Sequence, residues 1–307
     1  MKKYKSLLLV TSAALLGVVM SSCCFIPPKE EKLDLSKMTL VWEDDFSDEK
    51  LNEEDWWYFE GVASKGDNAD TIVSEALNTI TGPIHNNEIQ NYKKSCVTVG
   101  DATDSDSVNG RTLKITAKST NGINWDSGKI QTSNKVDMKY GYIEARLKMP
   151  VAYDKNGNEI ANNGVWPAFW MMPTNSEYGI WPRSGEIDIM EYSPSTSGDK
   201  AYATLHHALS QTNATDVYPS LGSTIINDGE YHTYGVMWTS GTLEAFYDGE
   251  SLGTVYANPG YDNWAQWPYD QEFYVIINLA MGGNLGGSIN KDMRKAVYEI
   301  DYVRYYK

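Results

Sequence analysis

Glu186, Asp188 and Glu191 stand within six residues of one another in Trp181-Pro-Arg-Ser-Gly-Glu-Ile-Asp-Ile-Met-Glu-Tyr-Ser193. In a strand, neighbours point to opposite faces, so Glu186 and Asp188 share one face and Ile187 and Ile189 the other. Strict alternation would turn Glu191 in among the apolar residues, where an unpaired carboxylate is very costly. A β-bulge at Ile189 or Met190 resolves the conflict, because one extra residue resets the alternation and returns Glu191 to its companions. Glu186 and Glu191 are then about four strand steps apart, roughly 13 Å between Cα atoms. Two glutamate side chains leaning together narrow that gap considerably. Carboxyls about 5–5.5 Å apart are what double-displacement cleavage of a glycosidic bond needs, one as nucleophile and one as general acid/base. Asp188 sits between them, placed to hydrogen-bond the nucleophile and to raise its neighbours' proton affinity by like charge.

An ordinary solvated strand face is the competing explanation, since antiparallel sheets often keep one side wet. Two features weigh against it. Three like charges on one face, with no Lys or Arg among them, repel one another. Their flanks are Trp181 and Tyr192 rather than further polar residues. The wider composition agrees: ten tryptophans and 21 tyrosines supply flat rings with polar edges, which suit the C–H faces of sugars. A net charge of −15 argues against nucleic acid, whose phosphates would be repelled, and weakly against polyanionic glycans. Among four histidines, adjacent His206 and His207 point to opposite faces and cannot jointly hold a metal, so no catalytic cofactor is expected.

The elements that must position these acids read as short strands. Thr112–Lys118 and Tyr142–Met149 alternate apolar and polar residues. Thr242–Tyr247 and Ser251–Tyr256 flank Asp248-Gly249, a strong hairpin signal, and Val297–Tyr306 is rich in β-branched and aromatic residues. Cys96 lies in another strand-like stretch and reads as a small buried residue. No long amphipathic helix, repeat or linker intervenes. Residues 100–110, 154–164 and 210–223 read as loops, and one antiparallel β-sandwich over 38–307 accounts for the chain.

Ahead of it, Lys2, Lys3 and Lys5 precede an apolar run from Leu7 to Met20, about the length of a signal h-region and short for a membrane span. The junction Met20-Ser-Ser-Cys23 resembles a bacterial lipobox, with a signal peptide over 1–22, lipid on Cys23 and a tether over 23–37. Lys29-Glu-Glu31 resembles the acidic export signal of surface lipoproteins in Bacteroidetes-type bacteria. The expected location is the outer membrane, held by the lipid alone and facing the cell surface.

Glu186-Ile-Asp-Ile-Met-Glu191 resembles the active-site strand of glycoside hydrolase family 16, in the bulged form of its laminarinase-like members. The resemblance continues through His85–Tyr92, Ser127–Thr132 with Lys139–Arg146, Gly164–Pro173, Asn278–Gly283 and Ile300–Arg304, in family order. It implies an all-β jelly roll of two curved antiparallel sheets with a glycan across the concave face. It implies Glu186 as nucleophile, Asp188 as its helper and Glu191 as acid/base. Trp166, Trp170 and Trp181 fall at cleft aromatic positions, although a tryptophan in a sheet is more often core. His206 matches a cleft-facing histidine, and Asn86, Asn87 and Glu88 a cleft segment in which Asn87 and Glu88 are the candidates for sugar contact. Asp301 matches a carboxylate that holds a structural calcium in many members. The implied substrate is a neutral β-glucan with 1,3 or mixed 1,3/1,4 linkages, cut by a monomer, with loops 153–164 and 256–268 setting linkage preference. A same-fold hydrolase of a galactan or xyloglucan, and a non-catalytic glycan-binding lipoprotein, stay open.

Overall fold

The computed structural model describes residues 33–62, 86–208, 220–226, 228–257 and 264–307. The signal segment, Cys23 and most of the 210–223 loop lie outside them. Residues 32–307 form one compact unit. The first described element lies inside the stretch that reads as a tether: Asp34 caps a 3₁₀ turn, Leu35–Lys37, by accepting the Ser36 N–H.

Two β-sheets make up that unit, a jelly roll as expected. In the smaller, the strands run in the spatial order Ser220–Ile225, Lys200–His206, Glu186–Tyr192, Val165–Pro173, Phe273–Met281, Lys129–Gln131 and Trp57–Tyr58, all antiparallel. The larger is built on the long strands Gly141–Asp154 and Met293–Tyr306, which pair antiparallel along most of their length. The inner faces meet in one core, with Leu113, Ile143, Leu147, Phe169, Ile187, Ile277 and Ile300 among its fully buried members. That core is what holds a charged strand in place, because apolar burial stabilises in proportion to the area removed from water.

The hairpin forms as its sequence asks. Asp248 and Gly249 both take positive φ, 49° and 76°, which the two-residue turn with matching twist requires. Cys96 differs from expectation: it ends a 3₁₀ turn, Lys94–Cys96, and is buried there. Residues 159–160 form a two-residue strand against Gly141–Asp154, so the 154–164 loop is largely a hairpin.

Candidate active site

The acidic strand carries its bulge at the expected place. Against Lys200–His206, Asp188 pairs with Thr204 and Glu191 with Tyr202, so Ile189 and Met190 together oppose Ala203. Against Val165–Pro173, Asp188 pairs with Trp170 and Met190 with Phe169, leaving Ile189 as the extra residue. Ile187, Ile189, Met190 and Tyr192 all sink into the core. Glu186, Asp188 and Glu191 all line a single cleft of about 380 Å³ on the outer face of the sheet. Gly185 sets the entry: its φ is +86°, and a side chain there would meet Pro268 and Tyr269 at 2.9–3.0 Å. Only glycine takes that turn without strain.

Glu186 and Glu191 each accept a hydrogen bond from a tryptophan, and Asp188 stands beside a histidine of the neighbouring strand. Trp181 Nε1 donates to Glu186 Oε2. His206, opposite Glu186 in the ladder, places Nε2 2.9 Å from Asp188 Oδ2. Trp166 Nε1 donates to Glu191 Oε1 at 3.0 Å. Glu186, Asp188 and His206 thereby bring three potential ligand atoms within 4.8 Å of one another, a closeness that the cross-strand register already produces.

Electrostatics separates the three acids. Asp188, only 2 % exposed, has its carboxyl raised well above the ordinary range, by burial first and then by the charges of Glu186 and Glu191 and a hydrogen bond with Glu186. Burial and the Glu186 charge push Glu191 up to about 7, opposed by the Trp166 hydrogen bond and by His206. A carboxyl that titrates near neutrality can give a proton and take it back.

Trp181 is held by a stapled loop. Ser184 Oγ accepts the Tyr178 N–H and donates to Gly179 O, at 3.0 and 2.7 Å. The buried Gln271 amide donates to Ser184 O and Pro268 O while its oxygen accepts the Glu177 N–H. Trp166 and Trp170 project from Val165–Pro173 into the cleft, and Trp170 Nε1 donates to Asn278 Oδ1 at 2.7 Å. Met172, Tyr274 and Ile276, with Trp170 and Trp181 against them, form a small apolar cluster on the floor.

Another part of the lining comes from Asn86, Glu88, Asn284 and Leu285. Glu88 and Asn86 line the cleft, whereas Asn87 does not; it is exposed, with φ at +62°, and its amide donates to Asn284. Asn87 is therefore a turn residue that ties this part of the lining together. Tyr92, Asn278, Phe59 and Lys129 also line the cleft and were missed in the sequence. Asn278 had a usable signal, since a lone amide inside the apolar run Phe273–Met281 must find a buried partner; it accepts from Trp170 and donates to Tyr92 Oη at 3.1 Å. Among the described residues, nothing from 153–164 or 256–268 lines the cleft.

Asp301 does not fit a calcium ligand. A bulge opposite Arg146 and Leu147 turns it outward from the sandwich core, and it is fully buried there. Its carboxylate accepts the Val108 N–H at 3.0 and 3.2 Å and pairs with Arg146 Nη1 at 2.5 Å. A guanidinium from the chain itself fills the place of a cation.

The family model "Glycosyl hydrolases family 16" matches residues 91–304. The chain is 32 % identical over 284 residues to glucan endo-1,3-beta-glucosidase A1 of Niallia circulans, covering 89 % of this chain and 38 % of that protein. It is 34 % identical over 186 residues to keratan-sulfate endo-1,4-beta-galactosidase of Sphingobacterium multivorum, covering 60 % and 41 %. It superposes on the crystal structure of laminarinase from Flavobacterium sp. UMI-01 with a TM-score of 0.67 and 33 % identity, over 88 % of this chain and 100 % of that one. The chain thus spans less than half the length of those two curated relatives.

Proposed function

The chain belongs to glycosyl hydrolases family 16, and from that premise we propose that it is a retaining endo-β-glucanase acting on 1,3- or mixed 1,3/1,4-linked chains. Glu186 attacks the anomeric carbon while Glu191 protonates the departing oxygen; Glu191 then takes a proton from water, whose oxygen displaces the enzyme. Trp181 and Asp188 aim the Glu186 carboxylate, and Trp166 holds Glu191 against the leaving group. The supporting observation is the bulge at Ile189, which turns all three acids into one cleft, together with a Glu191 that titrates near 7. A glucan is favoured over a galactan by the named activity of the relative matching the longer stretch. On sequence alone, the lipobox-like junction supports a protein tethered to the outer membrane through Cys23.

Reducing-end release from laminarin and mixed-linkage glucan, by wild type and by Glu186→Ala, tests the reading. Wild type should release ends and the variant lose nearly all activity. Binding without release from any β-glucan, galactan or xyloglucan would make the protein a glycan binder instead. Early products should keep the β-anomer by NMR, and an α-product would contradict Glu186 as nucleophile.

A further inference from the structure

The outer face of the smaller sheet continues past the residues that hold the acids. Directly paired residues of neighbouring strands share a face. Asp188 pairs with Trp170, Trp170 with Ile276, Ile276 with Gln131, and Gln131 with Trp57. These five side chains therefore form one row across the outer face. At about 4.8 Å per strand, the row runs roughly 19 Å from Asp188 to Trp57.

Trp57 at its far end is 45 % exposed, while its neighbour Trp56 is fully buried and Tyr58 packs against the core. The exposed ring is nonetheless fixed. Its Nε1 donates to Ser133 O at 3.0 Å, and Lys135 Nζ, itself bound to the carbonyls of Glu53 and Trp56, stands 3.6 Å from the ring centroid. Between Trp57 and the acids, Lys129 Nζ lies 4.8 Å from the Phe59 ring and 5.3 Å from the Trp170 ring. Aromatic rings thus stand at both ends of the row, Trp170 beside the acids and Trp57 with Phe59 at the sheet edge. A ring already fixed in place loses little freedom when a ligand stacks on it.

We infer that Trp57 is a distal platform on which a remote sugar unit of the bound chain stacks, so that the enzyme selects long polymers over short oligosaccharides. The inference rests on the glucanase reading. The contact lies four strands, about 19 Å, from Asp188 and is equal in ground and transition states, so it acts on KM and leaves kcat alone.

Kinetics on wild type, Trp57→Ala and Trp57→Tyr, with a β-1,3-glucan polymer and with laminaritriose, test it. Trp57→Ala should raise KM for the polymer roughly three- to tenfold at unchanged kcat. Its KM for the trisaccharide, which falls short of the sheet edge, should stay put, and Trp57→Tyr should recover most of the polymer affinity. An unchanged polymer KM, or an equal rise for the trisaccharide, overturns the inference. Wild type that cuts no polymer would sink the glucanase reading instead. Calorimetric binding of the same polymer then decides the platform: weaker binding by Trp57→Ala upholds it, and equal binding overturns it.

Discussion

Replacing Trp166 by Phe keeps a ring on the cleft floor and removes the indole N–H that reaches Glu191 Oε1 at 3.0 Å. That N–H favours the ionised carboxylate and so opposes the burial and Glu186 charge that lift Glu191 to about 7. A hydrogen bond to a charged group contributes about 1.5–3 kcal/mol. Glu191 is partly open to the cleft, where water can replace part of the loss, so the low end applies. At about 1.4 kcal/mol per pH unit this is roughly one unit. Losing a donor favours the protonated form, so the Glu191 titration moves upward, from about 7 to about 8. In the proposed mechanism Glu191 is protonated for the first step, so kcat/KM should fall as pH rises through its titration. The assay is initial-rate reducing-end release across the neutral and alkaline range. Lost sugar contacts lower the rate equally at every pH and leave the midpoint of the alkaline limb where it was. An alkaline limb unmoved or shifted to lower pH in Trp166→Phe would refute the pairing of indole with acid/base.

The same titration predicts a cost in stability. Glu191 titrates at about 7 in the fold against an ordinary 4.5, so the folded chain binds more protons across that window and stability falls as pH rises through it. Glu191→Gln should therefore melt several degrees above wild type at pH 8 and near it at pH 4, by calorimetry. Arg146→Leu leaves the fully buried Asp301 without its cation, at a cost of about 3–5 kcal/mol or roughly 10 °C in melting temperature, with activity at 25 °C retained; wild type should melt at one temperature with calcium or with EDTA. Cys23→Ala should move the protein from the membrane fraction to the soluble one on cell fractionation, and continued membrane association would exclude the lipid anchor.

What could be read in the sequence was whatever local alternation encodes. Glu191 in register with isoleucines was a contradiction that one extra residue removes, so the bulge could be located before any coordinates. Trp166, Trp170 and Trp181 followed from family position, and all three line the cleft. What could not be read depends on which strands meet. Trp57 and Gln131 are 74 residues apart in the chain and adjacent in the sheet. Asp301, where the family resemblance implied calcium, pairs with Arg146, a partner 155 positions away that local sequence does not reveal. Asn86 and Asn87 look alike in sequence, yet Asn87 alone takes a left-handed φ, and only Asn86 lines the cleft.

The crowding of three acids separates their proton affinities, because their surroundings differ. Asp188 is buried in the middle of the charges, and burial first, then the charges of Glu186 and Glu191, raise its carboxyl well above the ordinary range. Glu191, at the far side of the bulge, is coupled to Glu186 but also bound by Trp166, and so settles at about 7 rather than far above it. Without the bulge, Glu191 would face the core, where no indole reaches it and burial would keep it permanently neutral. With a solvated face instead of a cleft, all three would ionise together and none could serve as an acid. The extra residue at Ile189 therefore does more than turn a side chain: it places one carboxyl where burial, a neighbouring charge and a single hydrogen bond balance near neutral pH. Environments that push like groups apart are how acid and base roles are divided between carboxylates.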